Sequence, residues 1–151
     1  MSLRYQILSS NFPLAFVICV LFSGCGDRQF HPVVGRVLQH NEPLKPKAGY
    51  VLLKPDLLKG NSTKYEPSGT IDADGNYELY TEQRRGAPPG WYKVIVTASG
   101  ETPKPLPNQS TTRPLSKSLL PAKYGQKEST PLAIEVVASP SEGAYDLDVT
   151  Q

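Results

Sequence analysis

Apolar and polar residues alternate in short blocks along residues 32 to 150, and the blocks are separated by residues that turn the chain. The first block is Val33-Val34-Gly35-Arg36-Val37-Leu38, followed by a turn at Gln39-His40-Asn41-Glu42. Next comes Tyr50-Val51-Leu52-Leu53, ended by Lys54-Pro55 because proline has no N–H to give to a ladder. Residues 56 to 67 read as a polar loop. Ser68-Gly69-Thr70-Ile71 and Tyr77-Glu78-Leu79-Tyr80-Thr81 flank Asp72-Ala73-Asp74-Gly75-Asn76, and Asp-Gly between alternating runs predicts a hairpin, since glycine takes positive φ without steric cost.

Trp91-Tyr92-Lys93-Val94-Ile95-Val96-Thr97 is the clearest strand, and its alternation predicts that Tyr92, Val94 and Val96 are buried together. Leu132 to Val137 and Tyr145 to Thr150 alternate in the same way, with Tyr145, Leu147 and Val149 on one face. Helix-period stretches are hard to find. About seven short strands at this spacing predict an all-β domain, an antiparallel Greek-key sandwich. A Pro-rich loop is expected over residues 99–118, which carry Pro103, Pro105, Pro107 and Pro114.

The front of the chain breaks this pattern. Arg4 precedes an apolar run from Phe12 to Phe22, and Leu21-Phe22-Ser23-Gly24-Cys25 follows. That is the layout of a secretory signal, and the run falls short of the ~20 apolar residues that span a bilayer. Cys25 directly after two small residues resembles a lipobox, with Phe22 where that motif prefers leucine. Residues 1–24 are thus expected to be removed and Cys25 to carry lipid, with residues 25–31 a short tether and 32–151 the β-domain. The rival Cys19 sits after bulky Val17 and Ile18 and reads as apolar filler. Cys25 would then be the one cysteine left in an oxidising compartment, where acylation disposes of a free thiol.

The composition allows one domain: about 127 of the 151 residues remain after the signal, enough for a hydrophobic core without staples. Loss of Arg4 leaves 15 Lys plus Arg against 14 Asp plus Glu, with no long run of either sign, which argues against nucleic acid as a partner.

The ordered pieces Pro32-Val33-Val34-Gly35-Arg36-Val37, Glu42-Pro43-Leu44, Thr70 to Tyr77, Ala87 to Val94 and Leu120-Pro121-Ala122-Lys123-Tyr124 resemble the carboxypeptidase regulatory-like, or transthyretin-like, β-sandwich domains of small bacterial lipoproteins. The resemblance covers most of residues 32 to 150. It departs at the insert over 99–118 and at His40-Asn41, where the family often has Asp-Gly. What it implies is a non-enzymatic accessory domain with no active site to carry over.

Catalytic motifs are thin. His31 and His40 are the only histidines, and no H-x-x-H, C-x-x-C, G-x-S-x-G or nucleotide-binding pattern occurs. Asp72 to Asn76 differs from an EF-hand, because glycine is fourth and Gln83 is twelfth. No catalytic residue, metal ligand or cofactor is therefore expected. Tyr50, Tyr65, Tyr80, Trp91 and Tyr124 are the candidates for an exposed platform, with Trp91, Tyr80 and Tyr50 foremost, facing a protein or a sugar. The resulting expectation is a lipid-anchored module of the bacterial cell envelope, on the inner or outer membrane, touching an envelope protein or polysaccharide.

Overall fold

A computed structural model of the chain describes residues 29–101 and 116–150, and among these it contains ten strands in two sheets and two short 3-10 turns. The strands are β1 (Val34–Gln39), β2 (Glu42–Pro43), β3 (Ala48–Pro55), β4 (Ser68–Thr70), β5 (Asn76–Glu78), β6 (Tyr80–Thr81), β7 (Arg84–Arg85), β8 (Gly90–Ser99), β9 (Ala133–Val136) and β10 (Leu147–Asp148). The all-β expectation holds. Ten strands replace about seven because the expected strand over Tyr77 to Thr81 divides into β5 and β6, and because β2 and β7 are two-residue pairings that periodicity cannot detect.

The larger sheet runs β7-β6-β4-β3-β8-β9, and every pairing in it is antiparallel. Its spine is the β3–β8 ladder, which runs from Ala48 opposite Ser99 to Pro55 opposite Tyr92. Along β8 the side chains of Tyr92, Val94, Val96 and Ala98 are buried, as alternation demands, and on β3 Val51 and Leu53 join them. The smaller sheet is built around β1, which pairs with β2, β5 and β10. Val37 on β1 and Val33 just before it, with Leu147 and Val149 from the last strand region, pack into the same core cluster as the β3 and β8 residues. Two sheets sharing one apolar interior make the domain sandwich-like.

Two local departures shape it. β10 lies parallel to β1, with Val37 opposite Leu147, so the antiparallel expectation fails at this one pairing. Alternation correctly placed Tyr145, Leu147 and Val149 inside, but it carries no information on strand direction. The predicted Asp-Gly hairpin also closes, with the Asp72 N–H donating to the Asn76 carbonyl at 2.9 Å and Gly75 at φ 83. The returning strand then divides: β5 pairs with β1 in the smaller sheet, while β6 pairs with β4 in the larger one. One continuous segment thereby stitches the two sheets together.

The ends of the Pro-rich loop are zipped, since Ser99 bridges Ser118 and the Gly100 N–H donates to the Lys117 carbonyl at 3.0 Å. Residues 102–115 lie outside the described residues, as do 1–28 with the signal segment and Cys25. His31 exchanges two backbone hydrogen bonds with Ala87, at 2.9 and 3.0 Å. Phe30, just before it, packs edge-on against Tyr65 with ring centroids 5.9 Å apart.

Candidate interaction surfaces

The outward face of the larger sheet follows from its register. Tyr50 and Thr70 form one cross-strand pair, Leu52 faces Ser68 and Ile95, and Ser68 in turn faces Tyr80. Residues directly opposite share a face, so Tyr50, Leu52, Ser68, Tyr80 and Ile95 all look away from the core. Ile95 is nevertheless only 6% exposed, and it does not belong to the core cluster. Its cross-strand neighbour is the half-buried Leu52.

Tyr50 and Tyr80 are both exposed. Trp91 is half-buried on β8, and its carbonyl accepts from the Asp56 N–H, which puts it six positions along the sheet from Tyr50. At the rise of a strand that separation is about 20 Å. The register does not gather the three aromatics into one flat platform: Tyr50 and Tyr80 are separated by β4 and stand two residues out of step, and Trp91 stands apart at the end of the sheet. Lys59 already covers the indole, its Nζ 3.5 Å from the ring centroid. Tyr124, counted among the exposed candidates by sequence, is buried at 3% exposure, and its hydroxyl donates to the Thr150 carbonyl at 2.6 Å. Its position after Leu119-Leu120, in the 3-10 turn Ala122–Gly125, explains this: the turn packs on β8 and carries the ring inward.

Beside Tyr80, a shallow depression of about 310 Å³ is lined by Val34, Thr70, Asp72, Asn76, Glu78 and Tyr80. Its charged groups are committed locally. Glu78 accepts from the Arg85 guanidinium and, at 3.0 Å, from the Tyr80 hydroxyl. Those hydrogen bonds hold the Glu78 carboxyl below its ordinary range and push the Tyr80 phenol upward. Asp72 accepts from the backbone N–H groups of Asp74 and Asn76, both at 2.9 Å, and from the Asn76 side chain, which lowers its pKa. That carboxylate is the brace of an Asx turn. Among the described residues no cluster of three or more His, Cys, Asp or Glu side chains is placed to hold a metal.

The buried polar side chains are likewise occupied with backbone. Asn61 donates to the Trp91 carbonyl at 2.9 Å, Thr81 to that of Gly86 at 2.7 Å and Thr130 to that of Val94 at 2.7 Å. Among the described residues no buried side-chain polar atom lacks a partner. His40 occupies the β1–β2 turn at φ 55, and His31 sits at the opposite end of β1.

Sequence reasoning missed one surface. Residues 56–67 are not uniformly polar: they contain a 3-10 turn, Leu57–Lys59, with Asp56 as its N-cap, accepting from the Leu58 N–H at 3.1 Å, and Gly60 closing it at φ 81. The turn holds Leu57 at 68% and Leu58 at 98% exposure. Two adjacent leucines inside an otherwise polar loop were the signal available. Compared with known proteins, the chain matches no family model, no curated protein and no solved structure.

Proposed function

We propose that this chain is a lipid-anchored, non-catalytic module of a bacterial cell envelope, its sandwich arranged in the Greek-key, transthyretin-like manner that the motif order resembles. The observation that carries the reading is Cys25, placed after an apolar run and two small residues and six positions before His31, the first of the described residues with a backbone bond into the fold. Acylation there would hold the domain against the membrane on about five residues of chain. Among the described residues no helix is long and apolar enough to cross a membrane. The buried polar groups brace loops and strand ends, which supports a role in contact over one in reaction.

Fractionation of cells expressing wild type and Cys25→Ala tests this. Wild type is expected in the membrane fraction at the size of the processed chain, and the variant in the soluble envelope fraction or unprocessed. A variant that is processed and remains membrane-bound would remove lipid as the anchor.

A polysaccharide-binding role draws on one specific feature, the exposed Tyr50 and Tyr80 on a common face. It expects envelope glycan binding that is lost in Tyr80→Ala. Retention in Tyr80→Ala and Tyr50→Ala together, or binding to no glycan, would leave protein contact as the domain's work.

A further inference from the structure

The register brings several loops to one end of the sandwich. β3 runs into the loop of residues 56–67 and β4 leaves it, β8 begins there at Gly90, and the turn between β6 and β7 lies beside it. The leader enters at the same end, where Phe30 packs on Tyr65 and His31 bonds to Ala87. This end also carries Leu57 and Leu58, the most exposed large apolar side chains among the described residues.

Three cations lie at the same end without an ion-pair partner among the described residues, each laid over an aromatic ring. Lys59 covers Trp91, Lys64 lies 6.0 Å from the Tyr65 centroid, and Arg84 lies 5.3 Å from that of Phe30. Two acids of this end are committed: Glu66 pairs with Lys54 at 2.6 Å, and Asp56 is buried as a cap. Glu82 on the β6–β7 turn and Glu135 on β9, opposite Trp91, remain as exposed counter-charges.

We propose that this end is a membrane-docking face, on which Leu57 and Leu58 enter the acyl boundary of an anionic bilayer while Lys59, Lys64 and Arg84 meet its headgroups. The inference rests on the lipid-anchor reading above. From Cys25 to Phe30 the chain reaches at most about 18 Å even when fully extended. An anchored domain therefore keeps this end next to the bilayer, and the second contact is effectively intramolecular, so a small apolar area suffices. Two leucines are far too little surface for a specific protein interface, which needs roughly 1,000 Å². They are adequate for interfacial insertion, where long cationic side chains and aromatic rings belong at headgroup depth.

Trp91, the chain's only tryptophan, reports on the contact because Lys59 of the docking turn lies over it. The full chain is mixed with vesicles of phosphatidylethanolamine and phosphatidylglycerol whose acyl chains are brominated, vesicle association is read by flotation and docking by quenching of Trp91 emission. Wild type is expected to float and to be quenched. Leu57→Ser/Leu58→Ser, altered only at exposed positions, is expected to float equally but to lower the docked fraction on the order of tenfold or more. Lys59→Glu/Lys64→Glu, or raised salt, is expected to weaken quenching in the same direction. A wild-type chain that floats without quenching, or a serine variant quenched like wild type, overturns the docking face and leaves the anchor standing. A wild-type chain that does not float overturns both, and leucines that serve a protein partner would leave Trp91 unquenched in these protein-free vesicles.

Discussion

Two glycines hold this sandwich together by what they lack. A Cβ on Gly35 would lie 2.2 Å from the Tyr145 carbonyl oxygen, and one on Gly69 would lie 1.9 Å from that of Glu78. In both cases the obstacle is backbone of a paired or packed segment, so it cannot swing aside. Gly35→Ala and Gly69→Ala are each expected to cost about 3 kcal/mol, read as a lower urea midpoint. The opposite sign is expected at the β1–β2 turn. His40 and Asn41 sit at φ 55 and φ 65, the backbone of a type I′ turn that favours Asn-Gly. His40→Asn/Asn41→Gly is therefore expected to raise stability by about 1 kcal/mol. Sequence placed this turn correctly because turn residues act locally. It was silent on the glycines, whose neighbours are distant in the chain: Tyr145 lies across from Gly35 through the same contact region in which the Arg36 N–H donates to the Asp146 carboxylate, 110 residues away.

Titration follows the same local chemistry. The Asp72 and Glu78 carboxyls are depressed in the fold, from 3.8 and 4.5, by hydrogen bonds to Asn76 and Arg85 respectively. Their folded forms bind protons less readily than the unfolded chain, so their contribution is present above those ordinary values and is lost as pH falls through the depressed ones. Urea midpoints measured from pH 6 downward to about pH 2 are expected to fall more steeply for wild type than for Asp72→Asn/Glu78→Gln. Parallel slopes would mean that these exposed carboxylates do not couple to folding. The Tyr77 phenol is pushed upward, chiefly by burial, while its hydroxyl donates to the Tyr145 carbonyl at 2.5 Å. Its stabilisation is present below the ordinary value of 10.0 and is lost only as strongly alkaline pH passes the raised one.

At the scale of elements, β8 was the most legible part of the chain, because a long strand with a strict two-residue period states both its existence and its buried face. Tyr92, Val94 and Val96 are each at most 1% exposed. Val94→Ala is expected to cost about 2 to 3 kcal/mol, combining lost burial with the cavity left behind. β10 was legible in its pattern and illegible in its pairing. It closes the small sheet beside β1 and buries Leu147 against the core, a long-range contact that alternation cannot encode. Removal of residues 145–151 strips Tyr145, Leu147 and Val149 from the interior together, and cooperative thermal unfolding followed by circular dichroism is expected to disappear. A truncated chain that melts in one sharp step would show that β10 is only draped on the fold. The division of β5 and β6 between sheets was hidden for a similar reason: the turn chemistry of Asp72 to Asn76 fixes the reversal but not which neighbour each half then meets.

For the whole molecule, the arrangement separates two ends. The His40-Asn41 turn, the Asp72–Asn76 turn and the zipped base of the Pro-rich loop lie at one, and the leader, Trp91 and the exposed leucines at the other. Between them Tyr50 and Tyr80 face outward from the larger sheet. Residue type put Tyr50, Tyr80 and Trp91 foremost together, while the packing of Tyr124 and the covering of Trp91 by Lys59 depend on loops that no periodicity describes. In the proposed function the end that carries Phe30 and His31 is joined to a membrane through Cys25. Mass spectrometry of the N-terminal peptide from the purified mature protein tests that join most directly. The account expects a chain that begins at Cys25 and carries the added mass of acyl chains on it, and a mature N-terminus at any other residue, or Cys25 with a free thiol, would contradict it.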